Sequence, residues 1–166
     1  MDVQDADVCR YFLRCEYAKG SFQSDPVAFS DDDVRRAMTE FGQQHSNNPA
    51  VVWLGFSPKN KRTNVNWMYL EQIKVPSIYS NGLNPDWKSA LQWVNGNFMR
   101  FMAECKETYK SEYDRPDQPL ADLSLILDII QKDRPDEIEL IDGSHRLAAM
   151  ILKGVTVVGG YVGTPQ

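Results

Sequence analysis

The stretch Ile138-Glu139-Leu140-Ile141-Asp142-Gly143-Ser144-His145-Arg146-Leu147-Ala148-Ala149-Met150 decides how the chain is read. A short apolar run stops at Asp142-Gly143, Ser144-His145-Arg146 follows, and an alanine-rich apolar helix opens at once. That helix ends at Lys153-Gly154, and a β-rich run begins with Val155-Thr156-Val157-Val158. The order is strand, turn, helix, strand, with the polar chemistry packed into the turn. Free N–H groups at a helix start attract anions, and phosphate is their usual biological occupant. His145 and Arg146 bring a titratable ring and a forked cation to the same place. The chain has only two histidines, and this one stands at a strand's carboxyl end, where ligands of α/β layers bind. The plain alternative is an ordinary Asp-Gly turn, with Ser144 as N-cap and Arg146 as a solvated helix residue.

Working outward, residues 120–132 read as a strongly apolar helix carrying Leu123, Ile126, Leu127 and Ile130, stopped by Arg134-Pro135-Asp136. Residues 113–119 are a charged linker with two prolines. Residues 87–109 show helical spacing of Trp87, Leu91, Val94, Phe98, Phe101, Met102 and Cys105, with Asn95-Gly96 as a point of interruption. Residues 78–86 read as loop, and residues 64–75 as a strand with aromatic residues, closed by Pro76. Residues 57–63 form a polar, basic turn. The run Ala50-Val51-Val52-Trp53-Leu54-Gly55 reads as a buried strand. Ser30 caps a helix that runs to about Gln44, with Asp31, Asp32 and Asp33 in its first turn and Val34, Ala37, Met38 and Phe41 on one face. Residues 20–26 are loop. In residues 8–17 the alternation of Tyr11, Leu13 and Cys15 favours a strand, with a short helix as the alternative. The closing strand runs to about Val162. No repeat or low-complexity segment is present. The expected class is α/β, with α+β as the alternative: one domain over 1–166 with a mixed sheet flanked by helices.

A length of 166 residues supports one domain with a real core. Hydrophobic residues make up 42%, too many for a chain disordered by composition. A net charge of −5 and a pI of about 5.0 argue against a general nucleic-acid coat. No segment approaches the ~20 apolar residues needed to span a bilayer, and the acidic start Met1-Asp2-Val3-Gln4-Asp5 lacks a signal-peptide pattern. The expected location is the cytoplasm. Cys9, Cys15 and Cys105 are odd in number and widely spaced, with no zinc or C-x-x-C pattern, and read as buried reduced thiols.

The helix over 120–132, the strand over 137–141, Asp142-Gly143-Ser144-His145-Arg146, the helix over 147–153 and the strand over 155–162 together resemble the core of the ParB/sulfiredoxin superfamily. Its members carry an Asp-Gly-x-His-Arg type of signature before a small-residue helix. The resemblance covers roughly the last third of the chain, a motif-bearing core over 115–162, and leaves a family-variable N-terminal half over 1–86. It implies that Gly143, Ser144, His145 and Arg146 contact the phosphates of ATP or CTP. Asp142 would shape the turn or meet the metal. Mg2+ is expected as the phosphate counter-ion, with no all-protein metal site. Sulfiredoxins have a cysteine where this chain has Ser144, which argues against thiol repair. No helix-turn-helix segment follows the core, which argues against partition-type DNA centring. Size, fold and motif together are similar to small plasmid-encoded fertility-inhibition proteins of the Osa and FiwA type. That resemblance implies ATPase and DNase activity, and action against the type IV secretion apparatus that moves DNA between cells. The implied partners are therefore a nucleotide, DNA, and a secretion-system or transferred protein.

Further candidates come from the residues themselves. Glu137 and Glu139 alternate on the strand before the turn, with Ile138 and Leu140 on the opposite face. One of these carboxylates would reach a bound metal or act as general base, or both simply line a solvated strand face. Glu71, after a strand-like run, is a third candidate acid. Lys59, Lys61 and Arg62 read first as a solvated turn and second as a phosphate or nucleic-acid contact. Trp53, Trp67, Trp87 and Trp93 read as core, and His45 as a cap or surface residue. Two functions compete. One is an enzyme in which Arg146 and the helix start neutralise phosphate charge while His145 or a strand glutamate orients water. The other is a non-catalytic inhibitor module that retains the fold and uses its acidic surface to mimic DNA or mask a basic protein.

Overall fold

Helix-start chemistry organises the first part of the chain. In a computed structural model, which describes residues 3–18, 20–59, 64–79, 125–129, 138–143, 147 and 156–166, Ser30 opens helix α2 (Asp31–Gln44) with a full capping box. The Asp33 N–H donates to Ser30 Oγ at 3.2 Å, and the Ser30 N–H donates back to Asp33 Oδ2 at 3.2 Å. Val34, Ala37, Met38 and Phe41 are buried, as their spacing predicts. His45 ends the helix: its N–H donates to the Phe41 carbonyl, and its ring lies 4.3 Å from the Phe41 ring.

The chain divides into two units, Met1–Tyr69 with Gly163–Gln166, and Leu70–Val162. In the first, helix α1 (Asp5–Ala18) packs against α2. The strand reading of residues 8–17 is thereby corrected to its helical alternative. The alternation of Tyr11, Leu13 and Cys15 is overridden by two helical rows, Val8-Phe12-Cys15 and Cys9-Leu13-Glu16, all of whose members are buried. Phe12 meets Phe41 edge to face at 5.5 Å, joining the two helices. Arg10 ties them at the rim, donating to Asp31 Oδ1 at 2.7 Å and to the Phe29 carbonyl at 3.3 Å. A single 3-10 turn, Pro26–Ala28, precedes α2 and is capped by Asp25.

The buried-strand reading of residues 50–55 is also corrected. Helix α3 (Pro49–Trp53) occupies that run. Asn48 Oδ1 accepts from the Ala50 and Val51 N–H groups, and Pro49 fills the first helical position, where a missing N–H costs nothing. At the other end Gly55 takes φ +81°. The Phe56 N–H then reaches the Val51 carbonyl and the Gly55 N–H the Val52 carbonyl, the paired bonds of a Schellman closure. A beginning and an end spelled out this fully override the β preference of two valines. Ala50, Val51 and Trp53 are buried, so the run is core as expected but in helical geometry.

Strand β1 (Val65–Lys74) follows and stops at the 3-10 turn Val75–Ser77, which contains Pro76, as expected. Strands β2 (Ile78–Tyr79), β3 (Leu125–Ile129), β4 (Ile138–Asp142) and β5 (Val157–Pro165) complete a five-stranded sheet in the order β1-β5-β3-β4-β2. Residues 65–69 of β1 and 163–165 of β5 belong to the first unit, and the rest of the sheet to the second. β2 runs parallel to β4, and β3 antiparallel to it, so the sheet is mixed. The fold is mixed α/β. The helix reading of 120–132 is corrected within residues 125–129. The period of Leu-Ile-Leu-Asp-Ile suits strand and helix alike, and the ladder with β4 decides for strand. The short strand β2 likewise replaces the start of the expected loop over 78–86. The helix over 87–109 and the linker over 113–119 lie outside the described residues. Ile73, Val75, Ile78, Leu140, Leu147 and Val158 are buried in the second unit. No helix among the described residues is long and apolar enough to cross a membrane.

Gly42 lies in α2, where alanine has the better helix propensity. A Cβ there would run into the Phe56 carbonyl, a backbone group that cannot swing aside. Gly42→Ala is therefore expected to lower stability by about 1–3 kcal/mol, as overpacking does, read from urea unfolding. A gain in stability would show that the approach of α2 to Phe56 is wrong. Ser30→Ala should cost about 1 kcal/mol through the lost cap. The Ser30 hydrogen bonds, and Arg36 to a smaller degree, hold the Asp33 carboxyl below its ordinary range. The Asp33 contribution is thus present above the unfolded carboxylate pKa and fades as pH falls through the lower folded value. The stability difference between wild type and Ser30→Ala should accordingly shrink in strong acid.

Candidate nucleotide site

Strand β4 lies between β3 and β2, so its carboxyl end opens from inside the sheet and not from a free edge. Asp142 is its last residue and is half-buried. Gly143 follows with φ +97°, a backbone region that L side chains rarely adopt. Glycine at the second position of the Asp-Gly turn makes this conformation accessible without steric cost. Gly143 is buried, and its carbonyl accepts the Leu147 N–H at 2.9 Å, the spacing of an α-helical bond. Leu147 is helical and fully buried. Strand β4, a left-handed glycine and an anchored helical residue therefore succeed one another within ten residues, Ile138–Leu147.

The expected site residues distribute unevenly over this frame. Asp142 and Gly143 form the turn, and Asp142 is engaged in polar interactions. Ser144, His145, Arg146 and Glu137 lie outside the described residues. Glu139 is half-buried and also engaged. The β3–β4 ladder shifts register between Ile126 and Leu127, as at a β-bulge. Asp142 stands opposite Ile126 and Glu139 opposite Asp128, two positions apart on β3, so the register sets these two carboxylates on the same face of the sheet. Glu71 is exposed on β1, and two strands stand between β1 and β4. At about 4.8 Å per strand spacing that is roughly 14 Å, and Glu71 is not brought to the turn.

The pairing of β4 reveals an acid that sequence reasoning missed. Asp128 of β3 is the cross-strand partner of Glu139, and Tyr79 of β2 is its partner on the other side. The helix reading of 120–132 hid this register, because a helix would have set Asp128 among Leu and Ile with no strand opposite. The signal was the single charge in Leu125-Ile126-Leu127-Asp128-Ile129. Among the described residues no group of three or more His, Cys, Asp or Glu side chains is arranged to hold a metal ion. Lys59 is exposed, and Lys61 and Arg62 lie outside the described residues.

Cys9 and Cys15 are buried free thiols, as expected; Cys105 lies outside the described residues. Burial first, and the nearby Asp5 carboxylate second, push the Cys9 thiol up to about 12. Such a thiol is not a nucleophile at neutral pH. Trp53 and Trp67 are buried core, and Trp87 and Trp93 lie outside the described residues.

No family model matches the chain, and no curated protein or solved structure is significantly similar to it.

Gly143→Ala is expected to lower stability by about 1–2 kcal/mol, the cost of a side chain in left-handed backbone. Gly143→Val should lose more, because a β-branched side chain crowds the same turn. Thermal unfolding of both variants measures this. An unchanged melting temperature in Gly143→Val would contradict a left-handed backbone at this turn.

Proposed function

We propose that the turn after β4 is a phosphate-binding turn and that the chain is a nucleotide-binding domain of ParB/sulfiredoxin type. In this reading the N–H groups that precede Leu147, together with the guanidinium of Arg146, hold the phosphates of ATP or CTP. Mg2+ serves as phosphate counter-ion, which asks for no dedicated cluster of protein ligands. The supporting observation is the φ of +97° at Gly143, immediately followed by the Leu147-to-Gly143 helical bond. A glycine of this kind lets backbone approach a phosphate closely, which a Cβ would oppose.

The reaction class that suits such a turn is phosphoanhydride hydrolysis. It needs charge neutralisation and a positioned water more than covalent chemistry. Arg146 supplies the first and His145 the second. Glu139, which the shifted register of β4 sets on the same face as Asp142, is the alternative for the water. DNase activity and the fertility-inhibition role, a block on DNA or effector transfer by a type IV secretion system, belong to the same proposal through the family resemblance. The net charge of −5 favours a second reading. A non-catalytic inhibitor module would use an acidic surface to cover a basic partner and need no turnover.

Titration of labelled ATP and CTP, with and without Mg2+, tests the first reading. Arg146→Ala should weaken binding about ten- to a hundred-fold, equivalent to ~1.5–3 kcal/mol for a charged hydrogen bond, with the melting temperature unchanged. Equal affinity in the variant would remove the phosphate role of Arg146. His145→Ala should lower turnover more than binding. Matching losses would make His145 a binding residue, and a wild type that binds without turnover would favour the inhibitor module.

A further inference from the structure

We draw no further inference here: the strongest candidate, the acidic cluster of Asp128, Glu139 and Asp142 that the register brings to one face of β3 and β4, is a set of carboxylates alone, and no second feature among the described residues points to a ligand for it.

Discussion

The left-handed backbone at Gly143 is the constraint on which the candidate site depends. β4 is held on both sides by hydrogen-bonded strands, so its exit direction is fixed by the sheet. The chain must turn at once, because Leu147 is already helical and bonded back to the Gly143 carbonyl. A φ of +97° performs that turn in one residue, at a strain only glycine avoids. The same residue lacks a Cβ, so the end of β4 presents backbone where another residue would present a side chain. Fold and proposed function thus ask for the same thing at the same position.

The first unit depends on a different class of constraint, the satisfaction of helix ends. Ser30 with Asp33, Asn48 with Pro49, and Gly55 with Phe56 each settle where a helix begins or ends. Between those punctuation marks, packing is close enough that absent side chains matter. Gly42 admits the Phe56 carbonyl, and at Gly163 a Cβ would lie 2.8 Å from the Trp67 ring and from Val65. Glycine at these two positions serves packing density, whereas at Gly143 it serves backbone conformation.

Legibility in the sequence followed the same physics. α2 was readable because its cap, its acidic first turn and its apolar face agreed. β1, β4 and β5 were readable because β-rich runs ended at Pro76, Gly143 or a closing segment. The Gly143 turn was readable from Asp-Gly between a strand and a helix. Three elements were misread where periodicity competed with something stronger. In α1 a local alternation of three residues concealed two longer helical rows. In α3 two valines outweighed Asn48-Pro49 and Gly55, although those residues carry the mechanism. In β3 an apolar run with one acid fitted either period, and only pairing with β4, at a distance in sequence, chose the strand. The register of Asp128 against Glu139 followed from that pairing and could not be read earlier. Of the candidate site, Asp142 and Gly143 form the turn after β4, Glu71 has two strands between it and that turn, and the register shift that sets Glu139 on the same face as Asp142 had no sign in the local sequence.

Whether the turn after β4 receives nucleotide phosphates is decided by titrating uniformly ¹⁵N-labelled protein with ATP and Mg2+ and following every backbone amide. Phosphate binding at this turn requires saturable shifts concentrated on residues 143–147, with the same residues responding to inorganic triphosphate. Saturable shifts confined to other parts of the chain, or none at millimolar nucleotide, would contradict it.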